Sequence, residues 1–133
     1  MPMCDTPTSV ALQECASRVL CQLGWGWKEC VYREALAAEL RRRNYDVSTE
    51  VALPIKYDSS PLSNVYAKVD MLLNGDTVIE LKSSNCSVAS LSRAKQQCYR
   101  YMTCCCHGNS GIGYVIVFPD ARDSGVSIFC VKL

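Results

Sequence analysis

Apolar and polar residues along this chain follow two rhythms, one helical and one extended. From Ser9 to Leu23 apolar side chains recur at helical spacing: Val10, Cys15, Val19 and Leu23, with Ala11, Leu12, Ala16 and Leu20 beside them. This predicts a helix with a broad buried face. Gly24-Trp25-Gly26 then breaks it, because closely spaced glycines weaken a helix and permit a sharp turn. A second helix is predicted over Trp27 to Arg43, with Tyr32, Leu36 and Leu40 as its core stripe. Glu29 extends that stripe by one turn, so a carboxylate stands where an apolar residue is expected. The bland account of Glu29 is an acid favouring the helix dipole, worth ~0.3–1 kcal/mol.

Strand-like alternation follows. In Asp46 to Tyr57, Val47, Thr49, Val51, Leu53 and Ile55 occupy alternate positions, and Pro54, which lacks an amide, demands an edge or an end. Asp58-Ser59-Ser60-Pro61 reads as a loop. Val65 to Ser83 then reads as two strands around Asn74-Gly75-Asp76, followed by a helix over Val88 to Cys106 with a stripe of Leu91, Ala94, Cys98, Tyr101 and Cys105. Gly108 to Gly113 is a turn-rich break. Ile112 to Pro119 is a nearly continuous apolar run, the pattern of a strand buried on both faces, and Val126 to Val131 is a last strand after a turn at Asp120 to Gly125. The order is helix, helix, three strands, helix, two strands, with no repeat or linker to divide it. One α/β domain over residues 1–133 is expected.

The hairpin at Val65 to Ser83 gathers Asp70, Glu80 and Lys82, and its register decides whether they meet. A slip of one residue would turn every side chain to the other face. A loop of Asn74-Gly75 alone would set Asp70 opposite Ile79. A loop that includes Asp76 sets Asp70 opposite Glu80 and Lys68 opposite Lys82, and it leaves Val69, Met71, Leu73, Ile79 and Leu81 as a uniformly apolar face. The odd-length loop is therefore expected.

Composition adds bounds. Net charge is +1, so any basic surface is local, as at Arg41-Arg42-Arg43 or Arg93, Lys95 and Arg100. No apolar run approaches membrane-spanning length, and the start, MPMCDTPTSV, lacks the charged and apolar regions of a secretory signal. An intracellular location without membrane contact is expected. The ten cysteines then read as reduced and mostly small buried hydrophobes, and Asn85-Cys86-Ser87 as a glycosylation sequon in form only.

Hard cations prefer carboxylate and carbonyl oxygens and keep several waters, so Asp70 and Glu80 could hold Mg²⁺ between them. Such an ion would polarise a phosphate, and Lys82 stands on the face of Glu80 where an ammonium can orient a water or meet developing charge. Against this stands an ordinary solvated strand face with a cross-strand ion pair, worth ~0.2–1 kcal/mol.

Asp70 followed by Glu80-Leu81-Lys82 on the next strand resembles the core of the PD-(D/E)XK nuclease superfamily. Gly26-Trp27-Lys28-Glu29-Cys30-Val31-Tyr32 resembles the GxxExxY signature of a narrower family within it, and VALPIKY, VIELK and Gln97-x-x-x-Tyr101 fall in that family's order over about Val10 to Phe118. Lys68-Val69 stands where relatives commonly carry Arg-Ala. The resemblance implies a restriction-endonuclease-like αβββαβ core, a mixed central sheet flanked by helices. It also implies a metal-dependent nuclease that uses Mg²⁺ or Mn²⁺ to cut nucleic acid, expected to be DNA, with a homodimer as one arrangement. By that resemblance Asp70 and Glu80 are metal ligands, Glu29 a third acid near the metal, Lys82 the catalytic lysine and Gln97 a residue lining the site. The alternative is a catalytically silent module of the same fold that binds nucleic acid or a protein.

Other constellations carry less. Consecutive residues on a helix splay by about 100°, so Cys104-Cys105-Cys106 with His107 cannot all face one ion. Trp25 and Trp27 suit packing under the helix-helix turn, with base stacking as the other use. Arg41-Arg42-Arg43 suits a solvated helix end.

Overall fold

The computed structural model describes residues 6–83, 87–105, 111–121 and 124–133. Helix α1 spans Pro7–Leu23 and α2 spans Glu29–Arg42; strands β1, Val47–Tyr57, β2, Ser60–Leu73, and β3, Thr77–Lys82, follow. Helix α3, Val88–Cys105, leads to β4, Ile112–Val117, and β5, Ser127–Lys132. The five strands form one sheet in the order β1-β2-β3-β4-β5. Its pairs are antiparallel except β3 with β4, which run parallel because α3 carries the chain back across the sheet. This is a mixed sheet flanked by helices, as expected of a restriction-endonuclease-like fold.

Two apolar layers hold it. Leu12, Cys15, Ala16 and Val19 of α1 and Tyr32, Leu36, Ala37 and Leu40 of α2 pack on Met71, Leu73, Ile79, Leu81, Tyr114 and Ile116. On the other face Ala94, Cys98 and Met102 of α3 pack on Leu72, Val78 and Val115. Gly113 permits the close approach of α3 to β4: a Cβ there would stand 2.7 Å from both Cys98 Sγ and Met102 Sδ. The stripe of α2 matches its periodicity. On α1, Val10 instead faces outward, and on α3 the buried stripe passes through Met102 rather than Tyr101, which is half-buried.

The α1–α2 turn is organised by Tyr32. Its hydroxyl donates to Gly24 O at 2.7 Å and accepts from Trp27 N at 3.2 Å, and its ring stacks on Phe118 with centroids 4.3 Å apart. Gly24 and Gly26 supply the positive φ values, 78° and 89°, that the turn requires. Trp25 and Trp27 are 48% and 50% exposed, which corrects the expectation of core packing. The Trp27 indole N–H instead donates to Leu23 O at 2.7 Å and satisfies a free carbonyl at the end of α1. The arginine run is structural: Arg41 donates to Val47 O at 2.8 Å, Arg42 pairs with Glu39 at 3.4 Å and Arg43 with Glu14 at 2.8 Å.

Two further expectations change. Asp58-Ser59 alone turns the chain between β1 and β2, both with positive φ, so β2 begins at Ser60 and forms a longer ribbon than expected. Pro54 does lie on an edge strand. Cys130 is disulfide-bonded, against the reduced state expected for every cysteine. Cys15, Cys21 and Cys30 are free, and Cys15 and Cys98 are buried. The sequon's Asn85 and Cys86, together with Cys106 and His107, lie outside the described residues. No helix among the described residues is long and apolar enough to cross a membrane.

Candidate active site

The hairpin of β2 and β3 takes the odd-length register. Leu73 pairs with Thr77, Leu72 with Val78 and Met71 with Ile79. Asn74 and Gly75 carry positive φ, 53° and 75°, Asp76 N donates to Leu73 O at 3.2 Å, and Asp76 is the extra residue. That phase directs Asp70 toward Glu80.

Regular pairing stops at Met71 and Ile79, where β2 and β3 part. Beyond this point β2 continues on β1, and β3 continues on β4 through Glu80↔Val115 and Lys82↔Val117. Carboxylates bridge the fork: Leu81 N donates to Asp70 Oδ2 at 2.9 Å, and Asp70 N donates to Glu80 Oε1 at 3.3 Å. Each acid thus accepts an amide left without a partner by the divergence of the strands. The same divergence separates Lys68 from Lys82, correcting their expected opposition: Lys68 pairs with Ala52 on β1, and its ammonium lies 3.5 Å from Glu50.

Val69 also departs from its expected face. It packs with α3's cluster, whereas Met71, two residues on, packs under α1 and α2. Strict alternation forbids this, so the strand is out of phase at Asp70. The irregularity coincides with Glu50 on β1, the position opposite Asp70 by register, whose φ of 51° interrupts the ladder. The sheet therefore bends where its acids meet.

Glu80 is 4% exposed, the one buried charged residue among the described residues. Burial, then the charge of Asp70 and a hydrogen bond with it, push its pKa up to about 9; the Asp70 amide and Lys82 pull the other way. Glu29, half-buried in the first turn of α2, meets Asp70 from the other side. Its pKa is raised by burial first and by Asp70 next, against the lowering pull of Lys82 and Arg33. A rise of this kind is opposite to what dipole stabilisation of a carboxylate would give. Asp70 is thus flanked by Glu29 and Glu80.

Lys82 is half-buried and within electrostatic reach of Glu29 and Glu80, but it makes no ion pair among the described residues. The cross-strand salt bridge of the bland account is not formed. Gln97 is not drawn to the acids: its amide donates to Tyr101 Oη at 2.6 Å, one turn along α3. Arg33 is a neighbour that the sequence reading passes over. It pairs with Glu34 at 3.0 Å and Glu50 at 3.6 Å, and its charge is felt at Asp70. Its signal is helical spacing, four residues after Glu29.

Two acids in contact in a buried fork cannot both ionise without a cation, and hard divalent ions take such oxygens while keeping much of their water. The Asp70 and Glu80 pair fits that chemistry. Among the described residues no group of three or more His, Cys, Asp or Glu is arranged to hold a metal ion, so the fit rests on the Asp70 and Glu80 pair.

The chain belongs to the PD-(D/E)XK nuclease superfamily, whose family model matches residues 7–128. That membership supports nuclease activity on nucleic acid. No curated protein and no solved structure matches it.

Proposed function

We propose that this protein is a nuclease that hydrolyses phosphodiester bonds of DNA with Mg²⁺ or Mn²⁺ as cofactor, and that it belongs to the GxxExxY group. The observation that carries this reading is the fork at which Glu80 accepts the Asp70 amide and Asp70 accepts the Leu81 amide while Lys82 stands beside them without a salt bridge.

In this reading Asp70 and Glu80 hold the metal, with Glu29 as the third acid beside it. When bound, the ion supplies Lewis acidity toward a phosphate oxygen and lowers the pKa of a coordinated water. Lys82 orients the attacking water and donates to charge developing on the phosphate; its freedom from any carboxylate suits it to this work. Glu29 tightens the acidic pocket from α2, held in place by the locked turn at Tyr32. Gln97 lines the rim, its amide anchored on Tyr101.

The test is cutting of plasmid, linear duplex and single-stranded substrates with each metal by purified protein and by Asp70→Asn, Glu80→Gln and Lys82→Met. Cutting by the parent and loss in all three supports the reading. Absence of cutting on every substrate, or equal cutting by Glu80→Gln, refutes it. Retention of nucleic-acid binding without cutting would identify a silent module instead.

A further inference from the structure

On the β1–β2 ribbon, residues of β2 alternate strictly on the approach to the site: Ala67 and Val69 are buried, whereas Tyr66 and Lys68 are exposed and Asp70 is half-exposed. Tyr66 and Lys68 therefore share one face of the strand, the face opposite α3, and it leads to Asp70, where the phase breaks and the carboxylate meets Glu29 of α2. At ~3.3–3.4 Å per residue, Lys68 stands about 7 Å and Tyr66 about 13 Å along the strand from Asp70. Arg33 and Glu50 border the same face, linked to each other and, through Glu50, to Lys68.

Tyr66 is 60% exposed, and among the described residues no aromatic stacking, cation–π contact or side-chain hydrogen bond engages it. Cross-strand, Tyr66 faces Pro54, which supports the strand but lends no amide. An exposed aromatic without a core role, with an ammonium between it and the acids, forms a row of ring, cation and carboxylates. Nucleic acid presents the complement of that row, a base followed by phosphates.

From this row we infer that the ribbon binds single-stranded nucleic acid, with Tyr66 stacking on an unpaired base near the phosphate held at Asp70 and Glu80, and Lys68 contacting the intervening backbone. The inference rests on the proposed nuclease reading and names its substrate class. A duplex keeps its bases stacked on one another and offers no free face to a tyrosine lying on a strand; a single strand or a frayed end does. Lys68 adds charge complementarity, since its pairing with Glu50 at 3.5 Å is solvent-exposed and readily exchanged for a phosphate. Tyr66 is a positioning and specificity residue here, remote from the reacting atoms.

The test uses full-length Glu80→Gln protein, so that binding is read without cutting, and fluorescence anisotropy with labelled oligothymidylate and with a duplex of the same length. Tyr66→Ala in that background should weaken single-strand binding about 5- to 150-fold, the loss of one stacked base. Tyr66→Trp should restore it, Tyr99→Ala, an exposed tyrosine on α3, should leave it unchanged, and duplex binding should be indifferent to all three. Unchanged single-strand binding by Tyr66→Ala, equal loss with Trp, or equal loss on the duplex would overturn the inference. Cutting by the parent protein, scored separately, decides the nuclease reading, so each can fail without the other.

Discussion

The backbone amide of Asp70 donates to Oε1 of Glu80 at 3.3 Å, so the second acid of the fork is fastened to the residue that carries the first. Leu81 N returns a bond to Asp70 Oδ2 at 2.9 Å. The two carboxylates stand in for ladder bonds that β2 and β3 lose on parting, and they are components of the fold as well as of the site.

Shortening these side chains should therefore cost more than losing their charge. Glu80→Ala strands the Asp70 amide in a buried fork, at about 1–3 kcal/mol, whereas Glu80→Gln keeps an acceptor oxygen. Chemical denaturation should rank Gln above Ala at position 80, and Asn above Ala at position 70. Equal stability of Glu80→Ala and Glu80→Gln would show that the exchanged bonds contribute nothing.

The pH dependence follows from Glu80. Burial first, then Asp70, raises its pKa from 4.5 to about 9 in the folded protein. The metal-free folded state therefore keeps a proton that the unfolded chain has released. Stability is fully present below the unfolded value and falls as pH climbs through the window toward 9. Glu29, also raised, acts in the same sense. Urea unfolding in chelator at about pH 5 and about pH 8.5 should show the loss, and Glu80→Gln should flatten it.

Divalent metal should reverse that loss. An ion at 100 times its Kd stabilises the folded state by about 2.7 kcal/mol, and its binding expels the proton that the acids retain. Titration calorimetry with Mn²⁺ in two buffers of different ionisation enthalpy should report proton release near neutral pH. Asp70→Asn and Glu80→Gln should abolish both the heat and the gain in Tm.

Lys82→Met should separate chemistry from metal binding. Loss of one donor aimed at developing charge typically lowers kcat by about 10²–10³. The Mn²⁺ affinity of this variant should match or exceed the parent's, because a nearby positive charge has been removed from the acidic pocket. A fall in metal affinity with unchanged kcat would assign Lys82 to holding the acids instead.

Legibility in the sequence divides along physical lines. The stripe of Tyr32, Leu36 and Leu40 and the phase that sets Asp70 toward Glu80 follow from local periodicity and turn chemistry, and both are present in the structure. The misplacement of Val69, the separation of Lys68 from Lys82 and the presence of Arg33 near Asp70 all arise where β2 leaves β3 and Glu50 adopts a left-handed backbone. Strand divergence is a tertiary event with no periodic signature. Gln97 shows the same limit from the other side, for its spacing from Tyr101 is legible, but the partner of its amide is Tyr101 itself.

Tyr32 connects these two levels, because the residue that packs the core also sets where α2 begins. Its hydroxyl joins Gly24 O and Trp27 N, and its ring lies within 4° of parallel to Phe118. Tyr32→Phe keeps the stack but leaves the turn's carbonyl and amide without their partner, a cost of about 1–3 kcal/mol. Phe118→Ala removes the stack at about 3–5 kcal/mol but leaves the hydroxyl's bonds available. Both lower Tm, yet only Tyr32→Phe frees the first turn of α2, where Glu29 meets Asp70. At a temperature where both variants are folded, Tyr32→Phe should therefore show the larger fall in kcat, read beside circular dichroism of the same samples. Equal activity of the two would mean that the turn does not position Glu29.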